Sequence, residues 1–371
     1  MKNWKNFDWW LLALPVGIVG FSCLMLYKLS QFAPTVPAST PVKQAVYLGI
    51  GLVLFWFFAS TDYKLLRPFV LPAYVVVVLS LLVVAVVGHT SFGATRWVNL
   101  GFIQLQPSEP AKLAVVLLLS KFLSDREYRM AEPSTIAGAL LIAGVPALIV
   151  LKEPDFGSAM VFVAVLAGLL IMASTPAPYL AGLTVLAGAA TPVIWLKVLK
   201  PYQTQRLTAF LHPTWYLRTW NYNPFHAQLA IGSGGPWGLW FGRQTQARLN
   251  FITVPGEDFI FSVVAEQIGF FGVLGLFAVI AALLFRIARV AYISADSFGR
   301  LIASGLLVML LFQMFLNVGV NMGIMPVTGI PLPLLSYGGS SLITTLAGLG
   351  ILESILLRHQ KLVFSTGESI L

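Results

Sequence analysis

The sequence predicts an all-α polytopic membrane protein: about ten transmembrane helices, one large extracellular loop and a re-entrant Pro/Gly-rich segment. Three observations predict it. Of the 371 residues, 58% are hydrophobic and 10% charged, with a mean hydropathy of +0.85, whereas a soluble domain carries about 25% charged residues. Apolar runs recur along the chain at lengths that cross a hydrocarbon core of roughly 30 Å. Phe (26) and Trp (10) are abundant, as the aromatic belts at membrane surfaces favour.

The runs fall near 9–29, 43–60, 66–88, 109–123, 135–151, 155–173, 178–199, 258–285, 299–323 and 338–357. The first is followed by no small-residue cleavage site and reads as a retained helix, not a signal peptide. Only "KEPD" separates the fifth run from the sixth. An even count places both termini on one side. With the termini inside, the short loops and helix ends of that side hold twelve Lys and Arg residues, against four (Lys28, Lys43, Arg96 and Lys152) outside. The six in the long 197–257 segment count for little, because long loops translocate largely regardless of charge. The termini are therefore expected in the cytoplasm and the 200–257 loop outside. The single cysteine, Cys23, excludes an intramolecular disulfide. We read residues 1–371 as one integral membrane domain with the loop inside it. Membrane lipid is its expected surrounding, and no nucleic-acid partner is expected. No repeat supports a transporter built from inverted halves.

The loop is rich in aromatics, Gly, Gln and Arg, a composition that argues against disorder. Beyond it, "FITVPGEDFIFSVVAEQ" (251–267) sets Glu257 and Asp258 at the outer mouth of an apolar run. Asp258 could be a helix cap or first-turn acid, but an ionisable residue beside a polar aromatic loop is a functional candidate. Glu266 lies about 12 Å deeper along a helix and is expected to be buried against another polar group.

In "GATRWVNLGFIQLQPSEPAKL" (93–113), Ser108 can cap a helix that holds Pro110 in its first turn. Glu109 and Lys112 then share a face. A charge at a helix centre costs roughly 2.5–3.5 kcal/mol on insertion scales, so the two are expected to pair. Adding Arg96 makes a cationic pocket for an anionic head group. "LKEPDFGSAM" (151–160) reads as a turn with Asp155 capping the next helix. "IGSGGPWG" (231–238) lacks the ending of a P-loop, leaving a flexible turn and a phosphate-binding backbone both open. The four histidines show no ligand spacing, so no histidine metal site is expected. A hard divalent cation held by carboxylates and a diphosphate stays open.

"NVGVNMGIMPVTGIPLPLLSYGGSSLITTLAGLG" (317–350) interrupts the apolar pattern with Pro326, Pro331 and Pro333, while Gly329, Gly338 and Gly339 permit unusual dihedrals. Non-helical backbone at membrane depth needs protein or water to satisfy it, so this segment is expected to line a cavity or fold back from the outer face.

From Asn317 through Gly323, Pro326 and Gly329 to "SYGGSS" at 336–341, the segment resembles the signature of the SEDS family, the shape, elongation, division and sporulation proteins of bacteria. "RWVNLG", "QPSEPAKL", "EPDFGSA", "YQTQR" and "AIGSGG" follow the family's order, and "GIPLPLLSYGGSS" is more like its elongation branch than its division branch. The resemblance implies a peptidoglycan glycosyltransferase of the bacterial cytoplasmic membrane that polymerises lipid II on the outer face, with a class B penicillin-binding protein as transpeptidase partner. It makes Asp258 the catalytic acid, acting as general base on the acceptor hydroxyl. It assigns Arg96, Lys112 (oriented by Glu109) and Arg206 to the substrate's diphosphate, and Ser336, Gly338 and Gly339 to substrate binding. No cofactor is implied beyond the divalent cation left open. The chain departs from the family with Gly256-Glu257 before the Asp and with Glu266-Gln267 in place of two glutamates.

Two further readings use the same residues. A flippase for lipid-linked precursor would need ionisable groups nearer the midplane, and a scaffold that recruits a transpeptidase would tolerate replacement of Asp258.

Overall fold

The computed structural model of the chain describes residues 7–87, 89–91, 94–99, 104–153, 155–199, 201–240 and 251–358. Ten helices occupy the ten predicted runs: α1 (Trp9–Phe32), α2 (Thr40–Ser60), α3 (Val70–Val87), α4 (Ser108–Ser124), α5 (Pro133–Lys152), α6 (Phe156–Met172), α7 (Ala177–Val193), α10 (Ile260–Ile293), α11 (Ser297–Asn321) and α12 (Gly339–Leu356). Seven are long and apolar enough to cross a membrane, counting α7 with the π turn that carries it to Lys197. α3 and α6 are shorter and apolar. α4 is 17 residues long and carries Glu109, Lys112 and Lys121.

Two segments gain structure beyond the expectation. The 200–257 segment contains two helices, α8 (Pro201–Leu211) and α9 (Tyr222–Ser233). Between α3 and α4 lies a three-stranded antiparallel sheet of β1 (His89–Ser91), β2 (Ala94–Asn99) and β3 (Gln104–Leu105). Thr90 pairs with Thr95 and Val98 with Leu105. Thr, Trp and Val favour a pleated, half-buried surface, and the stretch is too short and polar to add a span.

The core is built around α12, which packs on α2, α4, α10 and α11. Its apolar positions run all round the helix, the pattern of an element surrounded by protein, and nearly every residue from Gly339 to Leu356 is buried. α2 and α12 approach closely through glycine. Gly51 faces the Leu346 side chain, and a Cβ on Gly350 would lie 2.5 Å from the Phe55 carbonyl oxygen. At the opposite end from α8 and α9, Arg67–Asp125 (3.0 Å) and Arg300–Glu127 (3.2 Å) are exposed ion pairs, each worth under about 1 kcal/mol. Packing around α12 outweighs them.

Gly350→Ala separates these contributions. Helix propensity favours Ala by about 1 kcal/mol, but overpacking costs roughly 1–3 kcal/mol, and here the obstacle is rigid backbone. We expect a lower Tm in thermal unfolding of the detergent-purified protein, whereas Gly17→Ala, with open space around its Cβ, is expected to hold or raise it.

Candidate functional site

Asp258 lies where α10 begins, and its surroundings are contributed by α11 and by the irregular 322–338 segment. It does not cap the helix. Phe259 occupies the N-cap position and makes no side-chain capping bond. The Asp258 main-chain carbonyl accepts from Asn317 Nδ2 (2.9 Å) and Asn321 Nδ2 (3.0 Å). Asn321 Oδ1 accepts in turn from the Ser262 N–H (3.1 Å). Asn317 Nδ2 also donates to the Ile330 carbonyl (2.8 Å). These two buried asparagines, one helical turn apart, hold the Asp258 main chain; the motif reading named Asn317 only as the start of the signature and did not name Asn321. Their signal was present: paired amides on one face of a membrane helix need a specific partner.

The segment after α11 is fastened to the same loop. Ser336 Oγ donates to the Glu257 carbonyl (2.6 Å) and accepts from the Leu332 N–H (2.8 Å). The Tyr337 N–H donates to the Gly256 carbonyl (2.8 Å). Gln44 of α2 donates to the Ser336 carbonyl (3.2 Å) and Ser22 of α1 to that of Leu335. Non-helical backbone is thus satisfied by buried side chains, as the lack of water at depth requires. The Ser336 hydroxyl, expected at the substrate, is buried and hydrogen-bonded to main chain on both sides. Gly338 is extended at φ −179°, a conformation open to any residue; Gly339 opens α12 against the Tyr47 ring, where a Cβ would lie 2.7 Å away. Neither uses unusual dihedrals. Gly329, at φ +72°, does.

The start of α4 belongs to the same end of the bundle. The Gln106 N–H donates to Ser340 Oγ of α12 (2.9 Å), and Gln106 Nε2 to Asp155 Oδ2 (3.4 Å). Asp155 caps α6, accepting from the Ser158 N–H (3.1 Å) and Ser158 Oγ (2.8 Å). Ser108 does not cap α4: Pro107 holds that position without a side-chain bond. Lys112 Nζ and Glu109 Oε1 form a buried pair at 2.7 Å, with side chains 1% and 5% exposed. Arg96 sits in β2, and its side chain lies outside the described residues. Arg206 lies on α8, between the rings of Tyr202 and Trp220. Among the described residues no three His, Cys, Asp or Glu side chains come together as a metal site, so a bound cation would share its ligands with the substrate.

Glu257 is exposed by surface area yet ringed by protein. That crowding withdraws water from its carboxyl and, with the Asp258 charge beside it, pushes its pKa from 4.5 up to about 7.

The family described as "Cell cycle protein" (FTSW_RODA_SPOVE) matches residues 7–361. The chain belongs to the FtsW/RodA/SpoVE family. It is similar to the peptidoglycan glycosyltransferase MrdB of Escherichia coli K12, 35% identical over 316 residues and 83% of each chain. It also resembles MrdB of Helicobacter pylori, 31% identical over 96% of this chain and 91% of that one. Among solved structures, it matches a chain described under "Structural coordination of polymerization and crosslinking by a peptidoglycan synthase complex" at TM-score 0.82, 34% identity, and 96% and 99% coverage. The Thermus thermophilus rod shape determining protein RodA follows at TM-score 0.71, 32% identity, and 96% and 97% coverage. The protein is a multi-pass membrane protein of this family.

In this FtsW/RodA/SpoVE chain the Gly-rich 231–238 turn serves a purpose that its sequence left open. α10 is broken at Gly269, whose φ of +67° and ψ of −171° are not helical. The turn enters the break as a clasp. Leu239 N–H donates to the Glu266 carbonyl (3.0 Å) and Trp240 N–H to that of Gln267 (3.1 Å). Phe270 N–H donates to the Gly235 carbonyl (2.8 Å) and Phe271 N–H to that of Pro236 (3.1 Å). These bonds replace the rungs lost at the kink, with the turn supplying the Gly235 and Pro236 carbonyls. Glu266 is buried beside Ser233, whose hydroxyl donates to it at 3.3 Å. The half-helix from Ile260 to Ile268, which carries Asp258 at its start, is held at both ends.

Two glycines of the clasp should behave differently. Gly238 has φ +80° and its Cβ would strike the Gln267 carbonyl, whereas Gly235 has φ +55° and open space. Left-handed backbone costs a non-glycine residue about 1–2 kcal/mol. We expect Gly235→Ala to lose stability on that scale and Gly238→Ala markedly more, read by thermal unfolding.

Glu257 should show in pH dependence. Its folded pKa is raised, so its contribution is present below pH 4.5 and is lost as pH rises through about 7. Glu257→Gln should match the native Tm near pH 4 and gain on it toward pH 8, in modest measure because the side chain is exposed. A constant difference across that range would place the carboxyl at its ordinary pKa.

Proposed function

We propose that this chain is an inverting peptidoglycan glycosyltransferase that polymerises lipid II on the outer face of the bacterial cytoplasmic membrane during cell elongation. The observation that carries this reading is the loop bearing Asp258. Its two carbonyls, those of Glu257 and Asp258, are gripped by Asn317, Asn321 and Ser336, which fixes the backbone from which the Asp258 carboxyl extends. A base must be held within a fraction of an ångström of its proton to work.

In the proposed step Asp258 takes the proton of the acceptor sugar's 4-hydroxyl while that oxygen attacks the donor's anomeric carbon. The bond from that carbon to the diphosphate oxygen breaks, and the diphosphate leaves with the electron pair. Attack opposite the leaving group inverts the centre without a covalent glycosyl-enzyme. Charge grows on the diphosphate, so cations near it lower the barrier. Arg96 and Lys112, the last oriented by Glu109, are the candidates. The N-terminal ends of α4, α6 and α12 are joined through Gln106, Asp155 and Ser340, and a helix N-terminus carries a partial positive charge of about one half. A divalent cation, if bound, would supply further neutralisation of the diphosphate.

The Lys and Arg distribution supports cytoplasmic termini, with α8, α9 and Asp258 on the outer side. The likeness to a chain of a peptidoglycan synthase complex supports a class B penicillin-binding protein as partner. Residues 1–371 are taken as one integral membrane domain.

The test is lipid II polymerisation by the purified protein with such a partner. Loss of a general base costs roughly 10²–10⁴-fold in rate, so Asp258→Asn should fall by at least about 10²-fold while unfolding at the native temperature. Equal polymer from both would remove Asp258 as the base. No polymer from the native protein, with partner and divalent metal present, would favour the flippase.

A further inference from the structure

An open cleft, with about 60 Å³ of enclosed space, lies between the α8–α9 hairpin and the turn that follows α11. Its walls combine a cation, aromatic faces and an amide: Arg206, Trp220, Phe225 and Gln228 on one side, Gly323 and Met325 on the other. The Arg206 guanidinium lies 5.6 Å from the Trp220 ring centre. Trp220 Nε1 donates to Gln205 Oε1 at 3.0 Å, which fixes the plane of the indole. The buried Asn221 amide donates to the carbonyls of Ala209 (2.8 Å) and Trp215 (2.7 Å), which locks the hairpin turn. The walls are therefore organised without a ligand.

Both walls continue into segments that hold Asp258. On the hairpin side, Asn223 donates to Thr253 Oγ1 (2.8 Å) and accepts from the Thr253 N–H (3.1 Å), five residues before Asp258. On the other side, Gly323 follows Asn321, which donates to the Asp258 carbonyl. An aromatic face suits the C–H face of a sugar ring, and a guanidinium beside it suits a carboxylate.

We propose that this cleft holds a disaccharide-peptide unit of the glycan, with a sugar face on Trp220 and a peptide carboxylate on Arg206. This rests on the glycosyltransferase reading and adds a holding site for the substrate next to the reacting one. A strand gripped there stays with the enzyme between additions, so cleft variants release shorter polymer.

The experiment uses the full chain in nanodiscs and a soluble, lipid-free disaccharide-peptide, in its acid form and with its peptide carboxylates amidated. Hydrogen bonds to charged groups are worth about 1.5–3 kcal/mol, so losing this one should raise Kd about tenfold or more. We expect that rise for Arg206→Gln with the acid probe and for the native protein with the amidated probe. No further rise is expected when the two are combined. Asp258→Asn should bind the acid probe like the native protein. Equal binding of acid and amidated probes by the native protein overturns the proposal, and that arm stands even if Arg206→Gln fails to fold. Competition by phosphatidylglycerol vesicles that displaces the acid probe completely also overturns it, assigning the cleft to lipid headgroups. If the native protein polymerises lipid II while its probe affinity ignores the carboxylate, only the cleft assignment falls. If it polymerises nothing, the glycosyltransferase reading falls first.

Discussion

Inside a bilayer a backbone N–H or C=O has no water to turn to, and each one left unpaired costs several kcal/mol. This chain departs from regular helix twice at one end of its bundle, at Gly269 within α10 and from Met322 to Gly338 after α11. Both departures surround Asp258. The architecture there is largely an answer to where those backbone groups go. The clasp at 235–240 supplies four backbone bonds to the broken helix. Asn317, Ser336, Gln44 and Ser22 supply side-chain partners to the irregular segment.

Satisfying the backbone also positions the candidate base. The donors that quiet the loop, Asn317, Asn321 and Ser336, bind the main-chain carbonyls of Glu257 and Asp258 and so fix where the two carboxyl groups emerge. Packing supplies the rigid frame behind them. α12 is enclosed on every side and begins at Gly339, two residues beyond the Tyr337 N–H that binds Gly256. A shift of α12 along its axis would be felt in the Asp258 loop, and glycine contacts with α2 oppose that shift.

Charge is distributed by the same economy. The buried Glu109–Lys112 pair exchanges the desolvation of two ions for a short bond between them, on a helix whose first residues are tied to α6 and α12. Arg206 is carried on α8, outside the spans, with its stem and head against aromatic rings. One cation is thus locked inside the bundle, and another is presented at a cleft that opens to solvent.

The linear sequence by itself determined where the ten apolar helices lie, because hydropathy over about twenty residues is a local quantity. It also made Asp258 and the Glu109–Lys112 pair visible, the first by its place at a helix mouth and by resemblance, the second by helical spacing. It left the 231–238 turn undecided between phosphate and structure, argued for order in the 200–257 loop without placing its two helices, and gave neither Asn317 nor Asn321 a bonding partner. Those points were decided by tertiary structure. The partners concerned lie 59, 63 and 79 residues apart for Asn317–Asp258, Asn321–Asp258 and Ser336–Glu257. A hydrogen bond across that separation is set by how helices pack, so no window along the chain contains both its donor and its acceptor.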